Sequence, residues 1–299
     1  MNFQKLRLPL LALLALAAAV AVVVLVRPSA REPAYQGRPL RAWLEEFDQG
    51  YGSTNYSAAQ TAIRAMGTNT LPFLIRYLRS KDPPFHAQRL RLMSKLHLLR
   101  GKVEYAVFWH RRAATACGEL GPEGAPAFPA MAEAINDTHA AFDVAAALSR
   151  MFTNSAPVLT NILATGNVMA RCRAADALTT SFSHPQIEEM GRTALLNALR
   201  DPDPGVRATA ASAFQFWNKR LDVVVPALTR VLSDPNPGVR GNAAASLGNF
   251  GAAAKSAVSE LLKLLQDTNT YPGWSGDMHQ LAKGVLLKID PEAAERASR

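Results

Sequence analysis

The sequence predicts an all-α chain: a right-handed α-solenoid of stacked helical hairpins, preceded by one transmembrane helix. Three observations lead there, namely a string that returns at a fixed interval, apolar residues at helical rather than alternating spacing, and an uncharged run near the N-terminus. Asp201-Pro-Asp-Pro-Gly-Val-Arg207 returns as Asp234-Pro-Asn-Pro-Gly-Val-Arg240, 33 residues on, and Asp267 stands a further 33 along. Leu195, Leu199 and Ala211 are matched by Leu228, Leu232 and Ala244, and Phe214 by Leu247. Looser copies occupy residues 59–81, 113–137, 144–167 and 173–200, so six or seven helical pairs are expected.

One unit is explained from its residues. An Asp followed by Pro-x-Pro-Gly closes one helix and opens the next, because proline cannot continue a helix but fits its first turn. Small residues then fill the first helix (Ala208, Ala210, Ala211, Ser212; Ala243, Ala244, Ala245, Ser246), which lets neighbours approach closely. Aliphatic residues at helical spacing fill the second (Val224, Leu228, Val231, Leu232; Val258, Leu261, Leu262, Leu265). Neither helix can bury its stripe alone, so the units must stack.

Residues 8–26 are an uncharged run of Leu, Ala and Val with Pro9, 19 residues long. As a helix it spans roughly 28 Å, close to the hydrocarbon thickness of a bilayer. The run exceeds the apolar region of a cleaved signal, and Pro28-Ser29-Ala30 is a poor cleavage site. The expected arrangement is an uncleaved anchor at 1–27, a linker and capping helix at 28–56, and the array at 57–299. The short head places the N-terminus inside and the body periplasmic, as a single-pass protein of the inner membrane.

The net charge of +9 is uneven: residues 1–41 sum to +5, 42–75 to −2, 76–112 to +8 and 113–299 to −2. A nucleic-acid groove along the whole chain is disfavoured by that distribution. The local excess lies in a basic insertion at 81–112 that breaks the period. Leu92, Met93, Leu96 and Leu99 are expected to face inward there, with Arg89, Arg91, Lys95, Arg100, Lys102, Arg111 and Arg112 outward beside Tyr105, Phe108 and Trp109. Arg76 and Arg79 extend the patch, which suits an acidic protein or anionic lipid.

The turn strings resemble HEAT repeats, in the short Asp…Val-Arg variety also found in phycobilisome-lyase-like proteins; the fold implied is HEAT/armadillo-like. In such repeats Asp and Arg resemble the rungs of a ladder between units, which assigns Asp201, Arg207, Asp234, Arg240 and Asp267 a structural role. Residues 35–47 are similar to a segment that precedes such arrays in membrane-anchored bacterial proteins, with Trp43, Leu44 and Phe47 capping the first unit. The resemblance implies a protein-interaction scaffold whose second helices line the concave side, making Arg76, Arg79, Arg200, Arg230 and Lys263 candidates for partner contact. It also raises the alternative of a repeat protein that binds or attaches a chromophore.

Motifs for catalysis are absent. The histidines form no H-E-x-x-H, no G-x-S-x-G occurs, and Gly118-Glu-Leu-Gly-Pro-Glu-Gly124 lacks the Lys-Ser/Thr of a phosphate loop. Cys117 and Cys172 fall in helices of different units and are expected to be free and buried. No catalytic activity, cofactor or metal is expected.

Overall fold

A computed structural model describes residues 31–96, 105–137, 139–151, 154–179, 185–270 and 277–297. The run at 8–26, and with it the expected span and anchor, lies outside the described residues. Among those described, no helix is long and apolar enough to cross a membrane.

The described chain opens with a hairpin of Ala34–Tyr35 (β1) and Arg38–Pro39 (β2), antiparallel, with Ala34 opposite Pro39. Helix α1 (Leu40–Glu45) follows, burying Leu40, Trp43 and Leu44, and Trp43 Nε1 donates to the Tyr35 carbonyl at 3.2 Å. Phe47 meets Tyr56 edge-on, with ring centroids 4.9 Å apart. The apolar side of the first unit is thereby covered.

Seven helical pairs follow among the described residues: α2 (Thr54–Met66) with α3 (Leu71–Leu78); then, after a separate helix α4 (His86–Lys95), α5 (Ala106–Leu120) with α6 (Phe128–Ala134), α7 (Ala141–Arg150) with α8 (Ala156–Thr165), α9 (Val168–Leu178) with α10 (Pro185–Ala198), α11 (Pro204–Ala213) with α12 (Leu221–Val231), α13 (Pro237–Asn249) with α14 (Val258–Leu264), and α15 (Met278–Ile289) with α16 (Pro291–Ala297). The turn chemistry behaves as its residues dictate. Asp203 Oδ1 accepts from the amides of Gly205 and Val206 at 2.8 and 3.3 Å, and Asn236 Oδ1 from Gly238 and Val239 at 2.9 and 3.3 Å. Pro204 and Pro237 occupy first-turn positions, where a missing N–H costs nothing. Each of these caps is worth about 1 kcal/mol.

First helices of neighbouring units lie side by side, α5 on α7, α7 on α9, α9 on α11, α11 on α13 and α13 on α15. Their small residues make this possible: Ala210, Ala211, Ala243 and Ala244 are fully buried, and Ser246 Oγ donates to the Ala211 carbonyl across the joint at 2.7 Å. At Gly124 an added Cβ would sit 2.7 Å from the Cys117 carbonyl oxygen and 2.6 Å from Met151 Cε. At Gly121 and Gly251, with φ of +57° and +55°, the chain turns out of a first helix through a conformation that costs a side-chain-bearing residue energy. One continuous cluster of buried residues runs from Leu40 to Ala294, as a stacked array requires. In α14 the register differs slightly from expectation: Leu261 and Leu264 are buried, whereas Val258, Leu262 and Leu265 are half-buried against the core.

Candidate partner-binding surface

The side chains joining the units come first, because they decide which cations remain for a partner. Arg207 Nε and Nη2 donate to both oxygens of Asp234 at 2.8 and 3.0 Å, while its Nη1 reaches back to the carbonyls of Asp201 and Pro202 at 2.8 and 3.1 Å. Arg240 repeats this one unit on, with Nε to Asp267 at 2.8 Å and Nη1 to the carbonyls of Asp234 and Pro235 at 2.7 and 3.1 Å. Planar forks suit this double duty in a way an ammonium cannot. The Asp234 carboxylate holds the Arg207 guanidinium above its ordinary pKa despite burial. Burial alone would raise Asp267, but the amide and side chain of Asn269 and the Arg240 guanidinium outweigh it and hold that carboxyl below the ordinary 3.8.

Two further rungs escaped the sequence reading. Arg171 donates to both oxygens of Asp201 at 2.9 Å and to the Gly166 carbonyl at 2.9 Å. Its signal is positional, since it stands four residues after the capping Asn167, as Arg207 and Arg240 do after Asp203 and Asn236. His110 holds the same place at the first junction: Nε2 lies 2.8 Å from the Ser80 carbonyl oxygen behind it, and Nδ1 3.3 Å from Asp137 Oδ2 ahead.

Among the described residues, the cations expected to form a basic patch over 76–112 divide between buried joints and exposed positions. Arg112 is only 4% exposed and pairs with Asp48, its Nε 3.1 Å from Oδ1. Trp109 is 8% exposed, stacked on Tyr77 at 4.8 Å with the guanidiniums of Arg41 and Arg112 over its ring at 4.8 and 4.6 Å. The outward placement of both is therefore corrected. They close the joint between α1, α3 and α5. Arg79 bonds Glu133 at 3.2 Å, Arg111 bonds Asp143 at 2.8 Å, and Arg76 is exposed with its guanidinium over Phe73 and Tyr77 at 5.2 and 5.7 Å. Arg91 and Lys95 of α4 are exposed and make no ion pair among the described residues. The side chain of Arg89, and all of Leu99, Arg100 and Lys102, lie outside the described residues. Leu92 and Leu96, expected inward, are 58% and 55% exposed. Periodicity showed a stripe, and no described helix buries it.

The second helices carry a different surface. A groove of about 690 Å³ opens between α8 and α10, walled by Leu163, Ala164, Met190 and Ala194 and edged by Thr160 and Thr193. A second, of about 370 Å³, lies between α10 and α12, where Leu196, Val223 and Ala227 form the floor and Arg200 and Arg230 the rim. Asn197 lines both, so the two are neighbours along one face. Arg200 and Arg230 are exposed and without ion pairs among the described residues, whereas Lys263 bonds Glu260 at 2.7 Å.

No group of His, Cys, Asp and Glu that could hold a metal occurs among the described residues. Both cysteines are free; Cys117 is buried and Cys172 only half-buried. Burial pushes the Cys117 thiol up to about 12 and also raises Cys172, so neither is disposed to thiolate chemistry.

No curated protein sequence matches the chain. Among solved structures, an engineered protein is 18% identical, with 76% of this chain and 97% of that one covered and a TM-score of 0.41. Kap121p is 15% identical, covering 86% of this chain and 30% of its own at a TM-score of 0.48. Importin beta is 14% identical, covering 86% and 41% at a TM-score of 0.41. The family model described as HEAT repeats matches residues 192–272, and the string of rungs from Asp201 to Asp267 lies inside that stretch.

Proposed function

We propose that the chain is a protein-interaction scaffold without catalytic activity, tethered to a membrane by residues 8–26, with its partner lying along the second helices from α8 to α12. The observation behind this reading is the pair of adjoining grooves that share Asn197, the second of them lined by Arg200 and Arg230, which make no ion pair among the described residues. Their apolar floor suits the side chains of a helical or extended segment, and Arg200 and Arg230 suit a carboxylate on it, since guanidinium groups bind carboxylates bidentately. Nucleic acid fits poorly, because residues 113–299 sum to −2.

Affinity capture with the detergent-extracted full chain tests it, using Arg200→Glu with Arg230→Glu against Lys263→Glu. A partner held by the wild type and by the Lys263 variant, but lost by the double variant, is the expected outcome; retention by all three would reject the groove. Extraction at alkaline pH tests the tether separately, since an inserted chain stays with the membrane pellet.

A further inference from the structure

The clearest unassigned feature is α4. None of its described side chains is buried, in contrast to every neighbouring helix of the array. Phe85 at its start is 76% exposed, and Phe85, Leu92 and Leu96 share one side of the helix by their spacing of seven and four. The helix contains no acidic residue, and Asp82 just before it is occupied in accepting the Ala106 amide at 2.8 Å. Arg91 and Lys95 flank the apolar stripe without ion pairs among the described residues. Three other cations of the array, Arg112, Arg79 and Arg111, are engaged by Asp48, Glu133 and Asp143.

Position adds a second argument. Tyr77, at the end of α3, donates from its hydroxyl to Glu32 Oε1 at 2.9 Å, which fixes the start of the described chain beside the end of α3. From residue 26, the end of the apolar run, to residue 32 the chain can reach roughly 20 Å at most. Whatever surface residues 8–26 enter lies within that distance of Tyr77, and α4 begins nine residues later.

We infer that α4 is an interfacial helix that lies on the bilayer holding the chain, with Phe85, Leu92 and Leu96 in the headgroup boundary and Arg91 and Lys95 on anionic lipid headgroups. Such helices combine an apolar stripe with flanking cations, and each cation adds attraction to an anionic leaflet. The inference rests on the tethered reading of residues 8–26. It assigns the membrane residues other than those that line the grooves.

Hydrogen exchange of the full chain decides it, in nanodiscs of phosphatidylcholine alone and of phosphatidylcholine with phosphatidylglycerol. Amides of residues 86–96 should exchange severalfold more slowly in the anionic discs only, with α11 and α13 unchanged. Arg91→Gln with Lys95→Gln should weaken the docking equilibrium on the order of thirtyfold, and Leu92→Gln with Leu96→Gln should abolish the protection. All four side chains are exposed, so the variants keep their fold. Equal exchange in both discs overturns the inference, as does protection that follows protein concentration without anionic lipid, which would assign the stripe to a second copy. If the chain is washed from membranes at alkaline pH, the tether alone fails; the same exchange measured with added phosphatidylglycerol vesicles still reads α4.

Discussion

The joints at the two ends of the array solve one geometric problem with different side chains. Arg207 to Asp234, Arg240 to Asp267 and His110 to Asp137 all span 27 residues, and each of the three side chains also touches a carbonyl of the turn behind it. The guanidiniums satisfy both carboxylate oxygens or two carbonyls at once; the imidazole has one nitrogen for each side. The N-terminal joint makes up the difference with aromatic stacking of Tyr77 on Trp109 and with Arg112 on Asp48. Backbone spacing is thus common to both ends, while stiffness depends on which residue occupies the rung.

The largest effect that would test this contrast is expected from Arg240→Ala. It leaves the Asp267 carboxylate, 10% exposed, without its guanidinium, and the carbonyls of Asp234 and Pro235 without donors. Breaking a buried pair from one side costs about 3 kcal/mol. Because units contact only their neighbours, the loss should appear in hydrogen exchange as opening of the last two units rather than of the whole array. Uniform loss of protection would show that the joints are not separable.

Gly124→Ala should come next, at about 2 kcal/mol in a denaturant titration, since the new methyl meets the Cys117 carbonyl and Met151 and the backbone must shift. Gly248→Ala is the matching change near the other end; its Cβ would lie 3.1 Å from Val285 Cγ2, a less severe approach than at Gly124, and the cost should be smaller. His110→Ala should cost on the order of 1 kcal/mol, the value of a hydrogen bond to a buried carbonyl. If His110→Ala matched Arg240→Ala, the distinction between the ends would collapse.

What could be read in advance follows the same division. The rungs at Arg207 and Arg240 were legible because Pro-x-Pro-Gly marks their turns. Arg171 was not, because Asn167 caps α9 with no Pro-Gly after it, leaving only the four-residue spacing as a clue. Trp109 and Arg112 were misplaced for a packing reason: α5 is surrounded by α2, α3 and α7, and most of its residues from Trp109 to Leu120 are buried, so the outer face that helical periodicity assumes hardly exists. The stripe on α4 was legible as apolar, but periodicity cannot say what covers a stripe. The grooves at α10 were half legible, since Arg200 and Arg230 could be placed on second helices while the hollow between those helices depends on how far apart they stack.

The smallest expected effect concerns acid. Asp267 has a carboxyl held below the ordinary 3.8, so the folded state favours its ionised form more than the unfolded chain does. A carboxyl lowered in this way contributes stability that is fully present above the unfolded value and fades as pH falls through the folded one. Opening of the last two units should therefore become easier as pH drops below 3.8, and Asp267→Asn should flatten that part of the dependence. The hydrogen bonds from Asn269, at 3.0 Å from its amide and 2.6 Å from its side chain, act with Arg240 here. Asn269→Ala removes only the side-chain donor, so it should shift the acid limb slightly upward in pH and lower neutral stability by the correspondingly small amount, well below the cost of Arg240→Ala. An acid limb identical in the wild type and in Asp267→Asn would mean that other carboxylates set it.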